Sequence, residues 1–277
     1  IQTKGDNAVI GYLKKFDGVS FKSPKELKVT DKQINEAVKK VSVDLKKAIK
    51  ASYANVLAFH KKEYSNIKKQ WILTDSIKSV GQIYRPIESA GIYVPGGRFS
   101  YPSSVIMNVV AAKVAGVKRI VMMTPPKKMS NEVLFAAKLC GIKEIYTIGG
   151  AVAIAALAYG TKTIKPVNMI VGPGNAYVNE AKRLVFGKVG IDSLAGPSEV
   201  AIIADSGADK EYVFDRFKKL KREKIGLDFN KGSKKEPYCV RYNAPLKMNG
   251  KTISELSSYY DDGWQIVLYG PKTRVTK

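Results

Sequence analysis

The chain has 277 residues, 45% of them hydrophobic, which is enough for one large or two ordinary domains with a real core. No apolar run approaches the roughly 20 residues of a membrane helix and no stretch has the order of a secretion signal, so a soluble cytoplasmic protein with no membrane partner is expected. The net charge of +23 would suit an anionic partner, but all but eight of the 47 positive residues are lysines spread along the chain. They read as solvated faces rather than a phosphate-reading surface, and nucleic acid is not the expected partner.

Ile1 falls inside what looks like a helix already under way, so the sequence is expected to be a fragment with its natural start missing. Residues 1–70 read as helical. Ile34, Val38, Val41, Leu45, Ile49, Val56 and Phe59 recur at three-, four- or seven-residue steps, with lysines on the other face. Phe16-Asp17-Gly18-Val19 reads as a turn, and Ser42 as the cap of a further helix with Asp44 near its positive end. His60 is the only histidine, and without a Cys, Asp or second His beside it, it reads as a packing residue. From Trp71 to Pro86 the pattern turns extended, with Ile72, Leu73, Ile83 and Tyr84 flanking a turn read at Ser79-Val80-Gly81.

Gly91 to Asn175 organises the rest, with strand-like runs such as Arg119–Met123 and Glu144–Ile148 alternating with helix-like runs such as Ser103–Ala115 and Asn131–Cys140. That order predicts repeated βαβ units, a buried parallel sheet and ligand loops at the carboxyl ends of its strands. Gly96-Gly97, Gly149-Gly150 and Gly172-Pro173-Gly174-Asn175 are the glycine-bearing turns. The first leads to Ser103-Ser104, read as a helix cap; the last joins a strand to a helix capped by Asn175. Neither G-x-G-x-x-G nor a P-loop ending occurs in them.

Ser198 leaves a glycine-proline turn before a strand from Val200 to Ala204, and with no histidine nearby it is no triad nucleophile. Cys140 and Cys239 lie far apart without thiol or imidazole partners, which excludes a Cys/His zinc cluster and a disulfide framework. Cys140 is expected to be buried and inert. Lys218 to Lys235 is a basic run, and Trp264 to Pro271 has strand alternation followed by a turn.

Taken together, Phe16-Asp17-Gly18-Val19, Tyr84-Arg85-Pro86-Ile87-Glu88, Gly91 to Gly97, Tyr101-Pro102-Ser103-Ser104-Val105, Ala112 to Val117, Ile154 to Gly160, Gly172 to Val178 and Ala195-Gly196-Pro197-Ser198-Glu199-Val200 resemble the blocks of the histidinol dehydrogenase family over about residues 5–210. The resemblance implies a zinc-dependent homodimer that oxidises L-histidinol to L-histidine through an aldehyde, with two NAD⁺, at the end of histidine biosynthesis. It implies an α/β fold: a Rossmann-like parallel-sheet domain over residues 72–197 and a second, incomplete α/β domain. That second domain would use the helical residues 1–71 and a return strand at 198–214, leaving 215–277 an unassigned basic tail with a small β element.

The family's NAD contacts fall on Tyr93 and Asn175, its substrate contact on Ser198, and a third NAD contact, a glutamine in the family, on Val152. The zinc ligands and acid-base histidines that the family carries farther on have no counterparts, because no histidine follows His60. No catalytic or metal-ligating residue is therefore identified, and the expectation is a truncated enzyme whose own activity is open. The alternatives are a non-catalytic basic module for RNA or another anion, and a structural partner subunit.

Overall fold

The computed structural model describes residues 1–96 and 100–194, together with the strands Ala201–Ala204, Tyr238–Cys239, Lys247–Met248, Lys251–Thr252 and Ile266–Tyr269. The chain divides into two compact units, Ile1–Leu194 and Ala195–Lys277.

The first unit opens with helix α1 (Gly5–Tyr12), which widens into a π-helical turn over Leu13–Asp17 and stops at Gly18, whose φ of 60° suits a left-handed cap. Helix α2 (Asp31–Lys40) starts with a full capping box between Thr30 and Gln33. Helix α3 (Val43–Ser65) starts at Ser42, whose side chain accepts the Leu45 amide at 3.3 Å. Strands β1 (Gln70–Thr74) and β2 (Ser79–Ile83) form an antiparallel hairpin. Its turn is Asp75 to Lys78, not Ser79-Val80-Gly81, because the Asp75 carboxylate accepts the Ile77 and Lys78 amides at 2.8 and 2.9 Å. Ser79, Val80 and Gly81 are strand residues.

The βαβ series follows as β3 (Ser89–Tyr93), α4 (Pro102–Val114), β4 (Arg119–Met123), α5 (Asn131–Leu139), β5 (Glu144–Tyr146), α6 (Gly150–Tyr159), β6 (Met169–Val171), α7 (Ala176–Val185) and β7 (Gly190–Ile191). The five strands pair in parallel in the order β5-β4-β3-β6-β7. The chain thus winds outward from β3 in one direction, then crosses back to continue on its other side. The strands are apolar on both faces because both are covered. Ile92, Met122 and Ile145 point into a core with α2, α3, α4 and α5. Tyr93, Val121, Met123 and Tyr146 point into a second core with α1, α6 and α7.

The amino-terminal helices belong to this same compact unit. The segment Leu27–Val29 that precedes α2 protects the sheet's outer strand, because the Val29 amide bonds Ile145 O and the Thr147 amide bonds Leu27 O, both at 2.8 Å. Helix α4 departs from its sequence reading at one point. It begins at Pro102, with Tyr101 at the cap and no side-chain cap, so Ser103 and Ser104 lie inside the first turn. A proline, whose missing N–H costs nothing at N1, sets that start instead of a serine.

In the second unit, β8 (Ala201–Ala204) pairs antiparallel with β9 (Tyr238–Cys239) and parallel with β12 (Ile266–Tyr269). Strands β10 (Lys247–Met248) and β11 (Lys251–Thr252) make a separate antiparallel pair. The strand expected after Ser198 and the one expected near Val267 are both there.

Candidate cofactor-binding site

In an open parallel sheet the ligand crevice lies beyond the carboxyl ends of the strands, where the winding direction reverses. Here that point falls between β3 and β6, and the residues leaving them are Tyr93 and the loop Gly172-Pro173-Gly174-Asn175. The two segments touch. A Cβ on Gly172 would lie 2.1 Å from the Tyr93 carbonyl oxygen, and Gly172 has a φ of +115°, so no other residue fits.

Tyr93 is 3% exposed and turns toward α6, where its hydroxyl oxygen accepts the Gly150 amide at 3.1 Å. Burial pushes this phenol above its ordinary value; the Gly150 amide pulls the other way, and the nearby Asp17 carboxylate adds to the rise. Asp17 is itself pushed up by burial and held back by Lys127. Lys127 also comes close to Gly18, where a Cβ would sit 3.2 Å from its Nζ. Asp17 and Lys127 are neighbours of the site that sequence reasoning missed, because nothing in their spacing connects the first helix to the loop after β4.

Asn175 caps α7 as expected: its side-chain oxygen accepts the Val178 amide at 3.1 Å. With its oxygen so used, Asn175 offers a ligand its NH₂ group. Tyr93 is in the same position, since its oxygen already accepts Gly150 and its own hydrogen remains to donate. Both side chains therefore present donors, a pattern suited to an oxygen-rich ligand. The Gly149-Gly150 start of α6 has no side-chain cap, and a Cβ on Gly150 would meet nothing within 4 Å. The Gly150 amide at that opening is already held by the Tyr93 hydroxyl. Val152 lies in the first turn of α6, half-buried against the core.

The remaining sequence expectations separate clearly. Ser198 lies outside the described residues, as does Gly97. His60 is on α3, where Nδ1 sits 2.8 Å from Glu63 and the ring packs edge-on against Phe59, the surroundings of a packing residue. Cys140 is buried, and burial pushes its thiol up to about 11 against the pull of Lys113, which makes it unreactive. Among the described residues no group of three or more His, Cys, Asp or Glu is gathered that could hold a metal ion. Those residues do not fit zinc.

The histidinol dehydrogenase family model matches residues 1–215 of this chain. This chain belongs to the histidinol dehydrogenase family. It is 51% identical to the histidinol dehydrogenase of Carboxydothermus hydrogenoformans over 217 residues, covering 77% of this chain and 50% of that protein. It is 47% identical to that of Streptococcus mutans over 218 residues, covering 77% of this chain and 49% of the relative. The crystal structure of histidinol dehydrogenase from Elizabethkingia anophelis superposes with a TM-score of 0.66 at 39% identity, over 75% of this chain and 48% of that one. The chain thus spans about half the length of the histidinol dehydrogenases it matches. These matches support the α/β reading and give none to the RNA-binding alternative.

Proposed function

We propose that this chain is the dinucleotide-holding part of a histidinol dehydrogenase, with NAD⁺ seated across β3 and β6 and contacted by Tyr93 and Asn175. The observation that carries the reading is the pair of donors at the switch point, each with its oxygen already occupied by a backbone amide. A dinucleotide is rich in phosphate and ribose oxygens and can accept from both. Bound there, NAD⁺ would supply a hydride acceptor for alcohol and aldehyde oxidation; the chain's own part is to bind and orient it. Ser198 is the candidate substrate contact, for histidinol.

In this reading residues 72–197 form the cofactor domain. Residues 1–71, which pack with that domain in one compact unit, and 198–214 are the parts of a neighbouring domain that the rest of the family's length completes. A homodimer in the cytoplasm accompanies the reading by family likeness. No histidine follows His60, and among the described residues no group is gathered that could hold zinc, so binding without turnover is expected. Isothermal titration of the full chain with NAD⁺ should show saturable binding, and an assay with histidinol, NAD⁺ and added zinc should show no NADH. Absence of binding would remove the cofactor reading, and steady NADH production would remove the claim of missing ligands.

A further inference from the structure

Lys182 lies in the second half of α7, and only 5% of its side chain is exposed, which is unusual for a lysine in so lysine-rich a chain. Its ammonium donates to the Gly172 carbonyl at 2.5 Å and to Asp192 Oδ1 at 2.7 Å. Asp192 follows β7, and its other oxygen, Oδ2, accepts the Gly172 amide at 2.8 Å, while Oδ1 also accepts the Ser193 amide at 2.8 Å. One ion pair thus holds both the N–H and the C=O of Gly172. Those groups need partners, because Gly172 turns out of the β6 ladder at φ +115° and would otherwise bury them unpaired.

We propose that Lys182 and Asp192 are positioning residues that set the Gly172 peptides and thereby hold Asn175 ready for the dinucleotide; the inference rests on the cofactor reading above. Three features transmit the clamp. Gly172 is pressed on the Tyr93 carbonyl, so it cannot shift toward β3. Pro173 stiffens the next step. A Cβ on Gly174 would come 2.3 Å from the Val178 side chain, so the loop lies tight on the first turn of α7. Val178 and Lys182 share one face of that helix, four residues apart, and the helix grips its own entry loop from below. An ion pair with only its lysine buried is weak evidence for stability in itself. What this one does is remove the loop's freedom before the ligand arrives, so that ordering is not charged to binding.

The test uses the full chain with three variants, Lys182→Met, Asp192→Asn and the double Lys182→Met/Asp192→Asn, with NAD⁺ as the probe. Asp192→Asn leaves the buried Lys182 charge unpaired and should lower the thermal midpoint most, Lys182→Met leaves the partly exposed Asp192 charge and should lower it less, and the double removes both charges and should recover most of the loss. A role in folding alone would let NAD⁺ affinity recover as well. The proposal expects instead that the double variant keeps a Kd raised about tenfold, as when loop ordering moves into the binding step. Hydrogen exchange over residues 172–176 without NAD⁺ should be faster in all three variants. A double variant that binds as tightly as the wild type overturns the proposal alone, as does unchanged exchange. A wild-type chain that binds no NAD⁺ overturns the cofactor reading and the proposal with it.

Discussion

Tyr93 and Asn175 each spend an oxygen on a backbone amide, and that local economy decides what they can offer a ligand. Val152 offers nothing polar at the neighbouring position on α6. Val152→Gln would return an amide to a site already bordered by donors and should tighten NAD⁺ binding by about 1 to 3 kcal/mol, measured by titration. Cys140 gives a pH dependence with a definite sign. Its thiol is raised from 9.0 to about 11 by burial, so the unfolded chain loses this proton first as pH rises. Stability should therefore fall between pH 9 and 11, and the thermal midpoint of Cys140→Ala should fall less over the same range than that of the wild type.

The elements divide the sheet's labour between its two ends. At the amino ends, Arg119 opens β4 and grips Glu144 of β5 through two bonds of 2.8 and 2.9 Å, while also donating to the Pro166 and Lys165 carbonyls. Ser89 and Asn168 exchange bonds across β3 and the entry to β6. These contacts are far from the loops, so Arg119→Ala should cost about 1 to 2 kcal/mol in a urea melt and leave NAD⁺ affinity unchanged. A loss of affinity would mean that the two ends are coupled. The β1–β2 hairpin is of another kind. Every one of its residues is exposed, including Trp71, Ile72 and Leu73, and two strands by themselves are marginal. Its amides should exchange much faster than those of β3 and β4; equal protection would show that another segment covers it.

At the scale of the whole molecule, this chain pairs a well-covered α/β sheet with about half the length of its histidinol dehydrogenase relatives. The expected result, NAD⁺ binding without histidinol oxidation, belongs to this scale because it depends on residues that no local adjustment can supply. The alternation of apolar runs with glycine turns was enough, from the amino-acid order alone, to determine the βαβ series, the cap at Asn175 and the burial of Cys140, while the family was legible only through the resemblance of its ordered motif blocks. Those properties are local or periodic, and periodicity survives in a linear string. The hairpin turn at Asp75 and the start of α4 at Pro102 were misread, since serine-rich stretches serve as cap, turn or strand according to which hydrogen bonds win. Only the tertiary structure decided that β3 and β6 are neighbours, that Asp17 reaches Tyr93, and that Lys182, a solvated lysine by composition, is a buried clamp. Each of those depends on strand order and helix crossing, which bring together residues whose separation along the chain carries no signal of contact.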